Sequence, residues 1–245
     1  MTTSRIVLIT GGTAGIGLGL ARRYAGAGAR VVVAARPSAR LDDVPQVIPG
    51  ATSIAVDLEA PEGRDALADA IVERYGRLDV LVNNAGIQRR APIAEFADTD
   101  WDDLVRTNLS SAFYVSRRVA GGMISRGSGK LVQIGSVQSQ LARPSIAAYG
   151  ATKGAIAMLT KGLCADLAPH GIQANAIAPG YFATELTRAL VDDEKFSAWV
   201  RSRTPAGRWG NTGDLVGALV FLSSSASDFV NGQTIFVDGG MTAVV

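Results

Sequence analysis

The 245-residue sequence predicts a single α/β domain in which seven parallel strands form a doubly wound sheet with helices on both faces. Two observations support this fold class. Short runs of β-branched and other apolar residues alternate with longer segments of helical periodicity, which is typical of repeated strand–helix units. Most of these runs are apolar on both faces, as strands are when helices cover each side of a parallel sheet. No repeat or linker divides the chain, so residues 1–245 are predicted to form one domain of the Rossmann type.

The strands and helices can be placed in order along the chain. Strands are predicted at 6–10, 31–35, 53–56, 78–83, 130–135, 173–178 and 233–238. Helices are predicted at about 15–27, 62–75, 101–126, 149–168, 192–203 and 213–223. Pro61 before the second helix and Gly76 after it match the preferences of these residues for helix ends. The segment between the second and third strands is short and contains three prolines, so we expect no full crossover helix there.

Composition excludes several classes of protein. The formal net charge is only +2 and the arginines are scattered, a pattern that disfavours nucleic acid as a partner. The single cysteine, Cys164, excludes an internal disulfide framework. No apolar stretch reaches the roughly 18 residues of a membrane span, and the N-terminal apolar run is too short for a signal-peptide core. We therefore expect a cytoplasmic protein without a membrane partner.

The segment TGGTAGIG, residues 10–17, follows the first strand and leads into the first helix. Its glycines allow a tight turn and a close approach of the backbone to a pyrophosphate. The helix N-terminus offers free N–H groups and the positive end of the helix dipole. Because the pattern lies between a strand and a helix, it predicts a dinucleotide-binding loop rather than a purely structural turn.

The residues that end the second strand indicate which dinucleotide binds. An acidic side chain there would bind the ribose 2′-hydroxyl of NAD, whereas an arginine suits the 2′-phosphate of NADP. The sequence has Ala35 followed by Arg36, with Arg40 nearby. This favours NADP(H), with NAD(H) as the alternative cofactor; the competing interpretation of Arg36 is a solvated loop arginine.

Tyr149 and Lys153 are four residues apart in a predicted helix, so their side chains share one face. A tyrosine with a pKa near 10 is a poor acid or base at neutral pH, and a neighbouring ammonium group lowers that pKa by favouring the phenolate. Ser136 follows the fifth strand at the carboxyl edge of the sheet, where ligands bind in such folds. These residues predict proton transfer at that edge.

The motifs TGxxxGIG (10–17), NNAG (83–86) and YxxxK (149–153), with Asn108 and Ser136 in this order and spacing, resemble the short-chain dehydrogenase/reductase family over essentially the whole chain. The resemblance implies hydride transfer between a nicotinamide and a carbinol carbon, with Tyr149 as the catalytic acid/base. It also implies that Ser136 holds the substrate oxygen and that Lys153 lowers the tyrosine pKa and binds the nicotinamide ribose. Asn108 would hold a water molecule in a proton relay.

The same resemblance implies further contacts to the dinucleotide. Asp57 would contact adenine, Asn83 would lie near the adenosine ribose, and Thr184 with the preceding backbone would hold the carboxamide and pyrophosphate. The complete set of predicted dinucleotide-binding residues is Gly11, Thr13, Gly15, Ile16, Gly17, Arg36, Asp57, Asn83, Ala85, Gly86, Tyr149, Lys153, Pro179, Gly180 and Thr184.

From about residue 80 onward, stretches such as NNAGIQRR (83–90) and SVQSQLAR (136–143) resemble the sugar-acid branch of this family, which interconverts D-gluconate and 5-keto-D-gluconate. A sugar-acid carboxylate needs a cation with fork geometry. Three arginines fall on loops at the carboxyl edge, and we expect the first or second of them to bind the carboxylate. Beside Ser136 and Tyr149, the predicted substrate-binding residues are Arg89, Arg90, Arg143 and Gln138, the last as a partner of a sugar hydroxyl.

Other functions stay open at this point. A dehydrogenase acting on carbon 3 of 2-deoxy-gluconate and a 3-oxoacyl-thioester reductase would use the same four catalytic residues. If the protein were a dinucleotide sensor without catalysis, one or more of the four catalytic residues would be expected to be replaced, but all four are present. No His, Cys or Asp cluster has metal-ligand spacing, so no catalytic metal is predicted.

The resemblance also implies a homotetramer, assembled through the helices at 101–126 and 149–168 and the C-terminal segment. The segment of about 181–205 is long and follows the Pro179–Gly180 turn, so we expect a mobile lid there. Trp209 is expected to pack against this lid or an interface.

Overall fold

The computed structural model describes residues 5–245 and contains the predicted alternation of strands and helices. Seven parallel strands form one sheet in the order β3-β2-β1-β4-β5-β6-β7. All seven predicted strands are present, and their ends differ from the predicted ends by at most two residues. The strands are β1 (Ile6–Thr10), β2 (Arg30–Ala35), β3 (Thr52–Ala55), β4 (Val80–Asn83), β5 (Gly129–Ile134), β6 (Ile172–Pro179) and β7 (Thr234–Val237).

The α-helices also agree with the prediction, apart from two details. The predicted long helix at 101–126 is divided by a π-helical segment, Val105–Ser110. Between β2 and β3 the chain forms two helices of only four residues each, in line with the expected lack of a full helix. The helices are α1 (Gly15–Gly26), α2 (Ala39–Asp42), α3 (Val44–Val47), α4 (Pro61–Tyr75), α5 (Asp98–Leu104), α6 (Ser111–Arg126), α7 (Ala147–Leu167), α8 (Arg188–Val191), α9 (Glu194–Arg203) and α10 (Val216–Leu222).

The sheet separates two apolar cores. Successive side chains of a strand point to opposite faces, and β1 divides its residues accordingly. Val7 and Ile9 pack with residues of α1 and α10, whereas Ile6 and Leu8 pack with residues of α4, α6 and α7. All four are buried, which explains why the strands are apolar at consecutive positions.

The chain order reverses at β1, because β2 lies on one side of it and β4 on the other. The connections that leave the carboxyl ends of β1 and β4 therefore diverge and leave a crevice between them. Helices on both faces wall this crevice, which is where the candidate site lies. Within residues 5–245, no helix combines the length and apolar character needed to cross a membrane.

Candidate active site

A cavity of about 750 Å³ opens at the carboxyl edge of the sheet, and we call it the edge cavity. Its glycine-rich end is lined by the loop at 11–17 and by residues that follow β2 and β3. Its tyrosine end is lined by Tyr149 and Tyr181 together with two arginines. Most of the predicted site residues line this one cavity: Gly11, Thr13, Gly15, Ile16, Gly17, Arg36, Asp57, Ala85, Gly86, Arg90, Ser136, Gln138, Arg143, Tyr149, Lys153, Pro179, Gly180 and Thr184.

The glycine-rich loop is shaped by close packing against the loop after β4. Gly11 has a φ of 66°, and a Cβ added there would lie 2.8 Å from the Ala85 Cα atom. A Cβ at Gly17 would lie 2.4 Å from Asn84 Nδ2. Asn84 Nδ2 donates hydrogen bonds to the carbonyl oxygens of Thr10 and Gly11, both at 3.0 Å. Only glycine therefore fits at positions 11 and 17, and the two hydrogen bonds from Asn84 hold the loop in this conformation.

The N-terminus of α1 faces the edge cavity, and no side chain caps its backbone N–H groups. Ala14, which precedes the helix, is extended and provides no side-chain cap, and the first turn contains no acidic residue. The positive end of the helix dipole is therefore available to an anion in the cavity. Where β2 ends, the cavity is lined by Ala35 and then by Arg36, and Arg40 lines it as well. The glycine-rich end thus fits a ligand that carries several phosphates.

The tyrosine end contains the predicted proton-transfer residues. Lys153 is only 6% exposed, its Nζ donates to the Ile134 carbonyl oxygen at 2.7 Å, and it lies 5.7 Å from the Tyr149 ring centroid. Ser136 Oγ accepts a hydrogen bond from the Gln138 backbone N–H at 3.2 Å, which leaves its own hydroxyl hydrogen to be donated towards Tyr149 or a substrate oxygen. Helix α7 thus presents Tyr149 and Lys153 on the face where β5 ends.

Burial controls the protonation of this pair. It raises the pKa of Tyr149 above its ordinary value, while the Ser136 hydroxyl and the positive charge of Arg90 act in the opposite direction. Burial also lowers the pKa of Lys153 to about 8. The positive charge of Arg90 therefore acts on the phenol in addition to the role predicted for Lys153, which stays a prediction. The sequence pattern did not reveal this, because Arg90 is distant from Tyr149 along the chain.

Asn108 lies one layer behind the cavity, in the π-helical segment. Its side chain is 2% exposed and forms two hydrogen bonds with the Ile87 backbone, accepting from N–H at 2.8 Å and donating to C=O at 3.0 Å. It also donates to Thr152 Oγ1 on α7 at 3.3 Å. Asn108 therefore fixes the loop after β4 against α7. These contacts use both N–H donors of the side chain and one of the two lone pairs of Oδ1. The π-helical turn that holds Asn108 is of a kind frequent at functional sites.

Two arginines and a second tyrosine converge beside Tyr149. Arg90 and Arg143 both line this end of the cavity, and burial together with the charge of Arg143 lowers the pKa of Arg90. Burial raises the pKa of Tyr181, and both arginines act against this rise. Two buried polar atoms here, Arg143 Nε and Gln138 Oε1, have no hydrogen-bond partner in the described part of the chain. A cationic donor and an amide acceptor are thus both available to a ligand.

Aromatic contacts join the predicted lid to this end of the cavity. Tyr181, Phe196, Trp199 and Trp209 form a group, the lid cluster, with ring centroids 5.3–6.3 Å apart. Trp209 Nε1 donates to Ser197 Oγ at 3.0 Å, so Trp209 packs with the lid as expected. The Arg143 guanidinium lies 5.2 Å from the Phe196 ring centroid. The lid therefore helps to orient one of the two arginines.

Besides Asn108, two further predicted site residues do not line the cavity. Asn83 is the last residue of β4 and its side chain turns towards α6, where Nδ2 donates to Ser116 Oγ at 2.9 Å. Because side chains alternate across a strand, the neighbouring Asn84 faces the cavity instead. Arg89 points away from the cavity and pairs with Asp100 at 3.1 Å. The prediction that Arg89 lines the substrate site is therefore wrong, whereas Arg90 is correctly placed.

Tyr181 and Asn84 were missed as site residues by the sequence analysis. Tyr181 directly follows Pro179–Gly180 at the carboxyl end of β6, and this position could have identified it. Among residues 5–245, no group of three or more His, Cys, Asp and Glu side chains could hold a metal ion.

Similarity to known proteins extends over nearly the whole chain. A family model described as Enoyl-(Acyl carrier protein) reductase matches residues 11–242. Gluconate 5-dehydrogenase of Gluconobacter oxydans (strain 621H) is 52% identical over 242 residues, which cover 96% of this chain and 93% of that protein. The 5-keto-D-gluconate 5-reductase of Escherichia coli (strain K12) is 47% identical over 243 residues, 98% of this chain and 96% of that protein.

The fold agrees with that of a solved structure as well. The crystal structure of a gluconate 5-dehydrogenase from Burkholderia cenocepacia in complex with NADP and tartrate has a TM-score of 0.94 and 54% identity, with 98% of this chain and 96% of that chain covered. With the glycine-rich loop, Ser136, Tyr149 and Lys153 all lining one cavity, the chain belongs to the short-chain dehydrogenase/reductase family.

Proposed function

We propose that the protein is an NADP(H)-dependent oxidoreductase that interconverts a sugar acid and its keto form, namely D-gluconate and 5-keto-D-gluconate. The observation that carries this proposal is that two guanidinium groups, those of Arg90 and Arg143, line the same cavity as the proton-transfer residues Ser136 and Tyr149. Two cations near a reacting carbonyl favour a substrate that carries its own negative charge. The relatives that are 47–54% identical are named for gluconate or its 5-keto form.

The glycine-rich end supports a phosphorylated dinucleotide. The uncapped start of α1 suits the pyrophosphate. Arg36 and Arg40 suit a 2′-phosphate, and the end of β2 offers no carboxylate for a free 2′-hydroxyl. The related gluconate 5-dehydrogenase from Burkholderia cenocepacia was solved with NADP. When bound, the dinucleotide supplies the hydride for reduction or accepts it in oxidation.

The protein residues move the proton. In reduction, Ser136 Oγ donates a hydrogen bond to the keto oxygen, and Tyr149 transfers its phenolic proton to that oxygen as the carbon gains a hydride. The raised pKa keeps the phenol protonated at neutral pH, as this step requires. The charge of Arg90 and the Ser136 hydroxyl then stabilise the phenolate. In oxidation the same groups act in reverse, with the phenolate as the base.

The carboxylate of the substrate would lie between Arg90 and Arg143. A bidentate pair with either guanidinium gives both energy and orientation. The unpartnered oxygen Gln138 Oε1 would accept a hydrogen bond from a sugar hydroxyl. We also propose that the segment of about 181–205 moves over the substrate, because Thr184 and Leu186 of this segment line the cavity.

We further propose a homotetramer that is assembled through α6 and α7. Phe113 on α6 and Met158 on α7 are 41% and 64% exposed, and such apolar side chains favour burial between subunits. Light scattering would then give the mass of four chains of 25.4 kDa each.

The proposed function is tested by the initial rate at which reduced nicotinamide is consumed with 5-keto-D-gluconate, measured in parallel with NADPH and NADH. We expect fast turnover that favours NADPH. Turnover that favours NADH would support the proposed substrate and contradict the proposed preference for NADP(H). Activity on acetoacetyl thioesters or 2-deoxy sugar acids, with none on 5-keto-D-gluconate, would contradict the substrate.

A further inference from the structure

We propose that Glu185 limits the discrimination between NADPH and NADH, because it competes with the 2′-phosphate of the dinucleotide for the guanidinium of Arg40. This inference rests on the proposed function, since it requires a dinucleotide at the glycine-rich end. Glu185 is then a specificity-determining residue that lies outside the dinucleotide-binding motifs.

The geometry of the pair is the first argument. Arg40 Nη1 donates to Glu185 Oε2 at 2.8 Å and Arg40 Nη2 donates to Glu185 Oε1 at 2.7 Å, so both carboxylate oxygens are bound. Arg40 lies in α2, shortly after β2, whereas Glu185 follows Thr184 in the predicted lid. Both side chains line the edge cavity. The pair therefore bridges the cavity at its glycine-rich end.

The charge of Glu185 is the second argument. A carboxylate bound to Arg40 is unfavourable for a 2′-phosphate that approaches the same guanidinium, because like charges repel. Hydrogen bonds from Arg40 hold the pKa of Glu185 below its ordinary value, so this carboxylate stays ionised at neutral pH. It occupies the same fork of N–H groups that a phosphate would use. Glu185 and a 2′-phosphate thus compete for one guanidinium.

Arg36 provides the contrast within the same end of the cavity. In the described part of the chain it forms no ion pair, so it is available to a 2′-phosphate without displacing a partner. Arg40 becomes available only when Glu185 releases it. The two side chains of the pair are 59% and 52% exposed, and exposed ion pairs contribute little to stability, so the exchange is not difficult.

The consequence differs between the two dinucleotides. The 2′-phosphate of NADPH carries between one and about two negative charges near neutral pH and can replace the single charge of Glu185. NADH has no group at that position, so the Arg40–Glu185 pair persists when NADH binds. Glu185 therefore weakens the binding of NADPH and leaves the binding of NADH unaffected.

The experiment measures dissociation constants of NADPH and NADH by fluorescence titration of the purified full chain, without substrate. Removing the charge with Glu185→Gln is expected to tighten NADPH binding by about three- to tenfold, with a change below about twofold for NADH. The matched control is Asp65→Asn, which removes the same charge from an exposed pair with Arg118 outside the cavity. We expect no change in either constant for this control.

Testing Glu185→Gln in a protein that also lacks the Arg40 guanidinium separates competition for Arg40 from a general repulsion between Glu185 and the dinucleotide. Arg40→Gln should weaken NADPH binding, and adding Glu185→Gln to it should then have no further effect if the two groups compete for one guanidinium. An effect of the same size in both backgrounds would overturn the inference, as would an unchanged NADPH constant in Glu185→Gln alone. A wild-type protein that binds NADH more tightly than NADPH would contradict the proposed cofactor. The inference about Glu185 is tested separately, by whether Glu185→Gln changes the dissociation constant of NADPH.

Discussion

The two ends of the edge cavity are built in different ways. The glycine-rich end is shaped by the backbone of residues 11–17 packed against the loop after β4, and its tightest contacts involve glycines. The tyrosine end is assembled from side chains of separate segments: Arg90 after β4, Arg143 after β5, Tyr149 on α7 and Tyr181 after β6. A backbone site accepts little change, whereas a side-chain site can be altered one residue at a time. The glycine-rich loop is therefore tied to the fold, whereas the side chains proposed to choose the substrate are not.

The largest loss of activity is expected at Tyr149, in the tyrosine end of the cavity. Tyr149→Phe keeps the ring and removes the proton donor, so we expect kcat to fall by about a thousandfold or more. The dissociation constant of NADPH should stay within about twofold of the wild-type value. The matched control is Tyr181→Phe, the same deletion in the lid cluster. If both variants lose turnover equally, the assignment of Tyr149 as the acid is wrong.

Lys153 predicts a pH dependence of stability. Burial lowers its pKa to about 8 from 10.5 in the unfolded chain. Between these values the unfolded chain binds a proton that the folded protein does not, so stability rises with pH. The slope approaches 1.4 kcal/mol per pH unit, or about 2 kcal/mol from pH 8.5 to 10. Urea unfolding of wild type and Lys153→Met, without dinucleotide, should show this gain in the wild type alone. Equal pH responses would contradict the lowered pKa.

The glycine-rich end can be challenged by a single methyl group. A Cβ at Gly17 would lie 2.4 Å from Asn84 Nδ2 and 2.5 Å from the Gly11 carbonyl oxygen. We expect Gly17→Ala to lower the free energy of unfolding by about 2 kcal/mol and to weaken binding of both dinucleotides. Gly26→Ala on the same helix is the control, since no atom lies within 4 Å of an added Cβ there. A Gly17→Ala protein that binds NADPH normally would show that the end is not shaped by its backbone.

The tyrosine end should respond in substrate kinetics alone. Arg90→Ala is expected to lower kcat/KM for 5-keto-D-gluconate by about tenfold or more, with thermal stability and NADPH binding little changed. Arg89→Ala is the matched control, because Arg89 pairs with Asp100 outside the cavity. It should stay within about twofold of the wild type. Equal losses in both variants would mean that charge near the site, rather than direct contact, supports the substrate.

The adjacent pairs Asn83–Asn84 and Arg89–Arg90 show where prediction from sequence failed. Only Asn83 of the asparagines was assigned to the site, whereas both arginines were, and in each pair the structure brings only the second residue to the cavity. For the asparagines the cause is alternation across β4, which sends Asn83 towards α6. For the arginines the cause is the acidic side chain of Asp100, which binds Arg89 on the other side of the loop. Both choices depend on neighbours that are distant in sequence.

The sequence by itself determined the seven strands, the glycine-rich loop and the selection of Ser136, Tyr149 and Lys153, which line one cavity. These features depend on periodicity, on local backbone requirements and on the fixed spacing of one helical turn. Only the tertiary structure decided that Arg90 lines the cavity with Tyr149, that Arg143 packs on Phe196, and that Arg40 pairs with Glu185. Each of these contacts joins segments that are far apart in the chain. Their partners are fixed by how loops converge at the carboxyl edge of the sheet, which no local pattern encodes.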